Sequence, residues 1–284
     1  MLREECGIIG IFGAKEAAKL AYLGLYALQH RGQEACGIVS IETETEETIS
    51  SHRDFGLVCD VFKNFSFENL SGNLAIGHVR YSTQGGRSLQ NIQPFLFRSA
   101  KFGPIAIAHN GNLTNAKQIK ENLEQQGSIF TSSSDSEIFI HLIARSKQKT
   151  IEECIKEISR QVKGAYSIVL ATQQNLYGIR DPYGFRPLVL GELNGDYVLA
   201  SETCALDLIE ATHLRDIKPG EIVKISHKNF KSTDLPLKVK ATHCSFEPIY
   251  FSRPDSLLNH KTIYDYRKKM GKILAQENPI KADL

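Results

Sequence analysis

The chain has 284 residues, 42% of them hydrophobic and 23% charged, with 21 glycines, 9 prolines and a formal net charge of +2. Glycine and proline together make up about a tenth of it, far below the ~25–30% of low-complexity chains, so a packed core is expected and wholesale disorder is excluded. No apolar run nears the ~20 residues that span a bilayer, the first residues lack the apolar core of a secretory signal, and the near-neutral balance gives no electrostatic case for nucleic acid or an anionic membrane.

Cys6 to Phe12 reads as a short buried strand, its glycines marking close approach of another backbone or a ligand. Apolar Ala17, Leu20, Ala21, Leu25 and Leu28 share a helical face over Lys15 to Leu28, with Gly32 placed as the C-cap. Gly37 to Ile41, Ala75 to Arg80 and Ile105 to His109 predict strands, and Asn115 to Gln126 a polar amphipathic helix. Ser134 and Glu137 have the spacing of a capping box ahead of a helix that runs to about Lys147, and a further helix covers Ile151 to Val162.

Beyond Gly164 come strands at Ala165 to Thr172, Leu176 to Arg180, Leu188 to Gly191, Tyr197 to Ser201 and Glu221 to Ile225. Their close spacing favours antiparallel pairing, because parallel crossovers need a dozen residues or more. Ser226 to Lys240 reads as an irregular linker, Ile249 to Phe251 as a short strand and Ile263 to Glu277 as a basic helix. Strands, then helices, then strands again predict an α+β domain.

The six cysteines are Cys6, Cys36, Cys59, Cys154, Cys204 and Cys244. They are too sparse for a disulfide scaffold and contain no C-x-x-C pair, so a reducing compartment is expected and a zinc ribbon is not. Small buried hydrophobe is the default role, and we assign it to Cys36, Cys59, Cys154 and Cys204. Cys6 differs because of its place. A thiol attacks only as thiolate, and its ordinary pKa of about 8.5 calls for a base. Removal of Met1 to Glu5 would free an α-amine on the same residue, with a pKa of about 7.7–8.0, suited to moving protons near neutrality.

The segments Cys6-Gly7-Ile8-Ile9-Gly10-Ile11, His30-Arg31-Gly32-Gln33-Glu34, Gly77-His78-Val79-Arg80-Tyr81-Ser82-Thr83, His109-Asn110-Gly111-Asn112-Leu113 and Ser133-Ser134-Asp135-Ser136-Glu137 occur in this order. Together they resemble the glutaminase domain of the N-terminal-nucleophile (class II) glutamine amidotransferases. Arg180-Asp181-Pro182-Tyr183-Gly184-Phe185-Arg186-Pro187-Leu188, Ala200-Ser201-Glu202-Thr203-Cys204-Ala205 and Tyr250-Phe251-Ser252-Arg253-Pro254-Asp255-Ser256 look like the branch that passes ammonia to a phosphoribosyltransferase domain in purine synthesis.

That resemblance implies a four-layer α/β/β/α sandwich, two stacked antiparallel sheets with helices outside. It implies residues 1–5 as a propeptide, 6–230 as the glutaminase domain, and 231–284 as a linker and the threshold of a phosphoribosyltransferase domain otherwise missing. Cys6 becomes the nucleophile, Asn110 and the Gly111 N–H the oxyanion hole, and Arg80 and Asp135 the clamps on the glutamine α-carboxylate and ammonium. Thr83 and Gly32 line the same pocket, and Arg31 steadies a nearby loop beside it.

The glutaminase half needs no cofactor. Cys244 matches a position that ligates a [4Fe–4S] cluster in one subgroup, so a cluster and Mg2+ are implied for the longer enzyme, which is expected to be a cytoplasmic homo-oligomer. Glutamine and the phosphoribosyltransferase domain are the implied partners, with no nucleic acid and no membrane. His30, His78 and His109 are expected to be structural. The competing readings are the glutaminase of glucosamine-6-phosphate synthase or asparagine synthetase, which Tyr81-Ser82-Thr83 and Tyr250 to Ser256 oppose, and a silent regulatory module, which the intact Cys6, Asn110, Arg80 and Asp135 oppose.

Overall fold

A computed structural model describes residues 6–43, 49–81, 88–227, 229–237 and 239–281. Its elements run β1 (Gly7–Phe12), α1 (Ala17–Ala27), β2 (Ala35–Ile41), β3 (Ile49–Phe55), α2 (Val58–Val61), β4 (Leu74–Arg80), β5 (Phe95–Ser99) and β6 (Gly103–Leu113). There follow α3 (Ala116–Gln125), α4 (Ser136–Arg145), α5 (Ile151–Ile158), β7 (Gly164–Thr172), β8 (Leu176–Arg180), β9 (Val189–Leu193), β10 (Asp196–Ala200) and α6 (Thr203–Leu208). The chain closes with β11 (Thr212–Asp216), β12 (Glu221–Ser226), β13 (Asn229–Asp234), the two-residue strands β14 (Leu257–Leu258) and β15 (Lys261–Thr262), and α7 (Ile263–Glu277).

Among the described residues two large antiparallel sheets form, one in the order β11-β9-β10-β1-β4-β2-β3 and the other in the order β13-β12-β8-β7-β6-β5. Alternation along each strand decides which layer a side chain joins. In β1, Ile8 and Phe12 enter the core between the sheets with Val39, Ile76, Ala108, Val169 and Leu199. Ile9 and Ile11 point the other way, into the layer where α1 and α6 cover the first sheet through Leu25, Leu28 and Leu206. The outer face of the second sheet packs Ile105, Ile168 and Leu170 against Phe139, Ile143, Cys154 and Ile158 of α4 and α5. The result is the expected α/β/β/α sandwich. Gly10 marks a close approach, as its place in a strand predicts: a Cβ there would stand 2.5 Å from Val169 Cγ1 of the opposing sheet.

Local signals misled at several places. Ile249 to Phe251 is not a strand but part of a π-helical turn, Glu247–Phe251, because capture of the buried Glu247 carboxylate by arginines outweighs the β-propensity of its neighbours. The supposed linker after Ser226 contains β13, paired with β12 from Ser226↔Asn229 to Glu221↔Asp234. β3 and β5 escaped the reading since each carries polar residues on its outward face. Gly32 is no left-handed C-cap: α1 ends four residues earlier at Leu28, and Gly32 is extended at φ −164°. The capping box does not form, for α4 has Asp135 at its N-cap with no side-chain cap bond, and Glu137 turns back to accept the N–H groups of Thr131 and Ser132 at 2.8 Å each. Cys36, Cys154 and Cys204 are buried as assigned, but Cys59 is exposed.

Candidate active site

The first sheet pairs Gly7 with Val79 and Phe12 with Leu74, so the start of β1 and the end of β4 emerge together and bring Cys6 beside Arg80. Asn110 and Gly111 lie near the end of β6, opposite Ser167 and Tyr166 of β7. These ends meet the start of α4 in a small cleft whose lining includes Cys6, His78, Arg80, His109, Gly111 and Asp135.

Each position has a structural cause. Burial pushes the Cys6 thiol up to about 11, against the opposing pull of the Tyr81 backbone N–H and of Arg80, Arg186 and Arg31. In this state the sulfur is a neutral thiol and requires a proton acceptor to attack. His78 cannot supply one: burial, with the charge of Arg80 beside it, pushes it down to about 3. Burial likewise lowers His109, whose Nδ1 lies 2.9 Å from Ser136 Oγ while its backbone N–H donates to Gln93 Oε1 at 2.8 Å. Both imidazoles are therefore neutral, and His30 sits away from the cleft, 2.8 Å from Glu202.

Asn110 is 1% exposed, and its Nδ2 is a buried donor with no acceptor within reach. Such a group costs free energy unless something uses it. Gly111 has φ +148°, and a Cβ there would stand 2.1 Å from the Ala165 carbonyl oxygen, so only glycine lets the chain turn at this point. Across the cleft, Asp135 Oδ2 accepts the Leu113 N–H at 2.7 Å, which leaves Oδ1 on the cleft side, 3.8 Å from His109 Nδ1. Arg80 is 5% exposed.

Two residues expected in the pocket do different work. Gly32 presses on the β4 backbone, where a Cβ would lie 2.6–2.7 Å from backbone atoms of Val79 and Arg80, so it admits the strand that carries Arg80. Arg31 is fully buried behind the cleft, donating through Nε to the Cys6 carbonyl at 3.0 Å and through its other nitrogens to Glu202 and Glu247. Thr83 and the proposed leader Met1 to Glu5 lie outside the described residues. Sequence reasoning passed over Gln93, whose Nε2 donates to Ser136 Oγ at 3.0 Å, and over Glu247. Only partners distant in the chain make either one matter.

A [4Fe–4S] cluster needs four thiolates. Cys244 is half-buried, and among the described residues no group of three or more His, Cys, Asp or Glu converges as a metal site, so these residues alone do not fit a cluster. Among them, too, no helix is long and apolar enough to cross a membrane.

The stacked-sheet sandwich, with Cys6 at the head of a central strand and Gly111 lining the same cleft, is the fold of the N-terminal-nucleophile hydrolases. Residues 78–208 match the family model for a glutamine amidotransferase domain. The chain is 46% identical over 283 residues to the amidophosphoribosyltransferase of Bacillus subtilis, covering all of this chain and 59% of the relative. It is 48% identical over 283 residues to the chloroplastic amidophosphoribosyltransferase 1 of Arabidopsis thaliana, covering 99% of this chain and 50% of the relative. A solved structure of glutamine phosphoribosylpyrophosphate amidotransferase from B. subtilis, complexed with ADP and GMP, superposes with a TM-score of 0.92 at 45% identity over 98% of this chain and 60% of that one. Over its full length the chain is similar to amidophosphoribosyltransferases, and its residues 78–208 carry the likeness to a glutamine amidotransferase domain. It spans 50–59% of the length of these two curated relatives.

Proposed function

We propose that this domain hydrolyses glutamine to glutamate and ammonia, with Cys6 as nucleophile once Met1 to Glu5 have been removed. The Cys6 α-amine takes the thiol proton as sulfur attacks the side-chain amide carbon. The oxyanion that forms is held by Asn110 Nδ2 and the Gly111 N–H, and losing one such donor typically costs about 10²–10³ in rate. The amine then passes the proton to the departing nitrogen, releasing ammonia and leaving a γ-glutamyl thioester. Water attacks the thioester to give glutamate and the free thiol.

Arg80 takes the substrate α-carboxylate, whose planar pair of oxygens suits a guanidinium fork, and Asp135 takes its ammonium. Reading both charged ends selects the free amino acid over a glutamine within a peptide. We assign Thr83 to the same subsite, and Gly32 serves it indirectly by admitting the strand that carries Arg80. The observation that carries the reading is the buried, unpartnered Asn110 amide, next in the chain to Gly111, which lines the cleft with Cys6.

In the longer protein the ammonia would pass to a phosphoribosyltransferase domain and displace pyrophosphate from phosphoribosyl pyrophosphate, giving 5-phosphoribosylamine in the first step of purine synthesis. The names of the relatives support that placement. We place the reaction in the cytoplasm and the full-length enzyme in a homo-oligomer, with Mg2+ at the acceptor domain. A cluster held in part by Cys244 would draw its remaining thiolates from that domain. The deciding experiment couples intact mass and N-terminal sequencing to glutaminase assay of the same sample, with Cys6→Ala as control. Activity should reside only in molecules that begin at Cys6. Full activity in chains retaining Met1 to Glu5, or in Cys6→Ala, overturns the reading.

A further inference from the structure

The β1 ladder begins at Gly7, paired with Val79, so Cys6 stands just outside it. Its carbonyl is held instead by Arg31 Nε at 3.0 Å. Arg31 is completely buried, and its guanidinium donors are divided between this carbonyl and two carboxylates. One is Glu202, bonded to Nη1. The other is Glu247, which accepts from Nη2 at 2.9 and 3.1 Å and from Nη1 at 3.1 Å. Glu247 is itself 3% exposed and also receives Arg186 Nη1 at 3.2 Å and Ser252 Oγ at 3.1 Å.

From this geometry we infer that Glu247 is a positioning residue for the nucleophile: it fixes the rotation of Arg31, and Arg31 fixes the carbonyl of Cys6. The inference rests on the reading of Cys6 given above. Sulfur and amine both hang from the Cys6 Cα, so the anchored carbonyl limits how far either can move relative to Asn110 and Gly111. Misplacing a reacting atom by about 1 Å can cost on the order of 100-fold in rate. Glutamine itself is held elsewhere, by Arg80 and Asp135, so loss of Glu247 acts on turnover and leaves recognition alone. The π-helical turn is thereby explained as the backbone form that delivers this carboxylate to Arg31.

The test uses the full-length enzyme with Glu247→Gln, which keeps the shape and removes the charge, and Ser252→Ala, which removes one hydroxyl from Glu247. Glutaminase kcat should fall at least about tenfold in Glu247→Gln and by a smaller factor in Ser252→Ala, with KM for glutamine within about twofold of the parent in both. Alkylation of Cys6 by iodoacetamide, which needs no glutamine pocket, should slow in parallel with kcat. If Glu247→Gln is insoluble, Ser252→Ala carries the same expectation. Unchanged kcat, a raised KM at constant kcat, or a variant that merely retains its leader would each overturn the assignment. Loss of activity in Cys6→Ala, measured alongside, keeps a failure here distinct from a failure of the cysteine mechanism.

Discussion

Asp135 and Leu113 are joined by a hydrogen bond of 2.7 Å from the Leu113 N–H to Asp135 Oδ2. It ties the first residue ahead of α4 to the end of the strand that carries Asn110 and Gly111. Asp135 is thus held to the strand that carries Asn110 and Gly111, and a change at Asp135 separates this structural bond from the ammonium-binding role proposed for its carboxylate.

Asp135→Asn retains an oxygen for the Leu113 N–H and loses the negative charge. We predict a KM for glutamine raised at least about tenfold, with a smaller loss in kcat, because a charge-assisted pair contributes roughly 1.5–3 kcal/mol. Asp135→Ala should add thermal destabilisation by leaving that N–H unpaired. Steady-state glutaminase kinetics and a melting curve separate the two effects. An unaltered KM in Asp135→Asn removes the residue from the clamp, and the parallel test on Arg80→Ala should also raise KM more than it lowers kcat.

Asn110→Ala should lower kcat by about 10²–10³ with little change in KM, as expected for a donor used only once the oxyanion has formed. It should also be tolerated by the fold, since it removes a buried donor that has no partner. Single-turnover glutamate release and a melting curve measure both. A variant with full kcat would show that the orphaned amide is not in the oxyanion site.

Gly111→Ala places a methyl group 2.1 Å from the Ala165 carbonyl oxygen at φ +148°. The strand must shift, so we predict both loss of activity and a lower melting temperature. Because the pair Gly111↔Tyr166 lies within the β6–β7 ladder, hydrogen exchange should rise locally along both strands. Wild-type melting and exchange in this variant would contradict the strain.

Acid stability should depend on Glu137. Burial pushes its carboxyl up, but His141, the Ser132 hydroxyl and the Thr131 and Ser132 N–H groups outweigh that and hold it at about 2, against the ordinary 4.5. A depressed folded pKa gives stability that is present above about pH 4.5 and is lost as pH falls toward 2. Glu202 behaves alike: burial raises it, and Arg31, His30 and Ser256 bring it down to about 2. Melting temperature followed from pH 6 to about pH 2.5 should therefore drop in this window. Glu137→Gln should be less stable at pH 6 and show a flatter acid limb, and an acid limb as steep as wild type would refute the assignment.

Much of the site was legible because its chemistry is carried by residue types that few other roles demand in that order. Cys6 ahead of a glycine-interrupted strand, Asn110-Gly111 and Asp135 in a serine-rich segment all appear in the cleft or on the strand ends that form it. Arg31 is expected to steady a loop beside the pocket, and the structure places it behind Cys6, bonded to the Cys6 carbonyl and two carboxylates. The reason is that a buried arginine is defined by its carboxylate partners, and Glu202 and Glu247 lie 171 and 216 residues away. Gln93 was missed for the same cause, its bonds going to His109 and Ser136.

By itself the order of residues determined an α+β domain and most of its strands, since apolar periodicity and turn chemistry are local properties that each segment carries wherever it lies. The stacking of two sheets into a sandwich was implied only by the family resemblance. The resemblance carried by the chain's motifs pointed to the side chains proposed for nucleophilic, oxyanion and clamping work. Only the tertiary structure decided that Ile249 to Phe251 turns as a π-helix, that Gly32 presses on a strand and does not cap α1, and that the Cys6 carbonyl is anchored by Arg31. Those outcomes depend on desolvation and on contacts between distant segments, whose energies exist only once the sheets have closed over them.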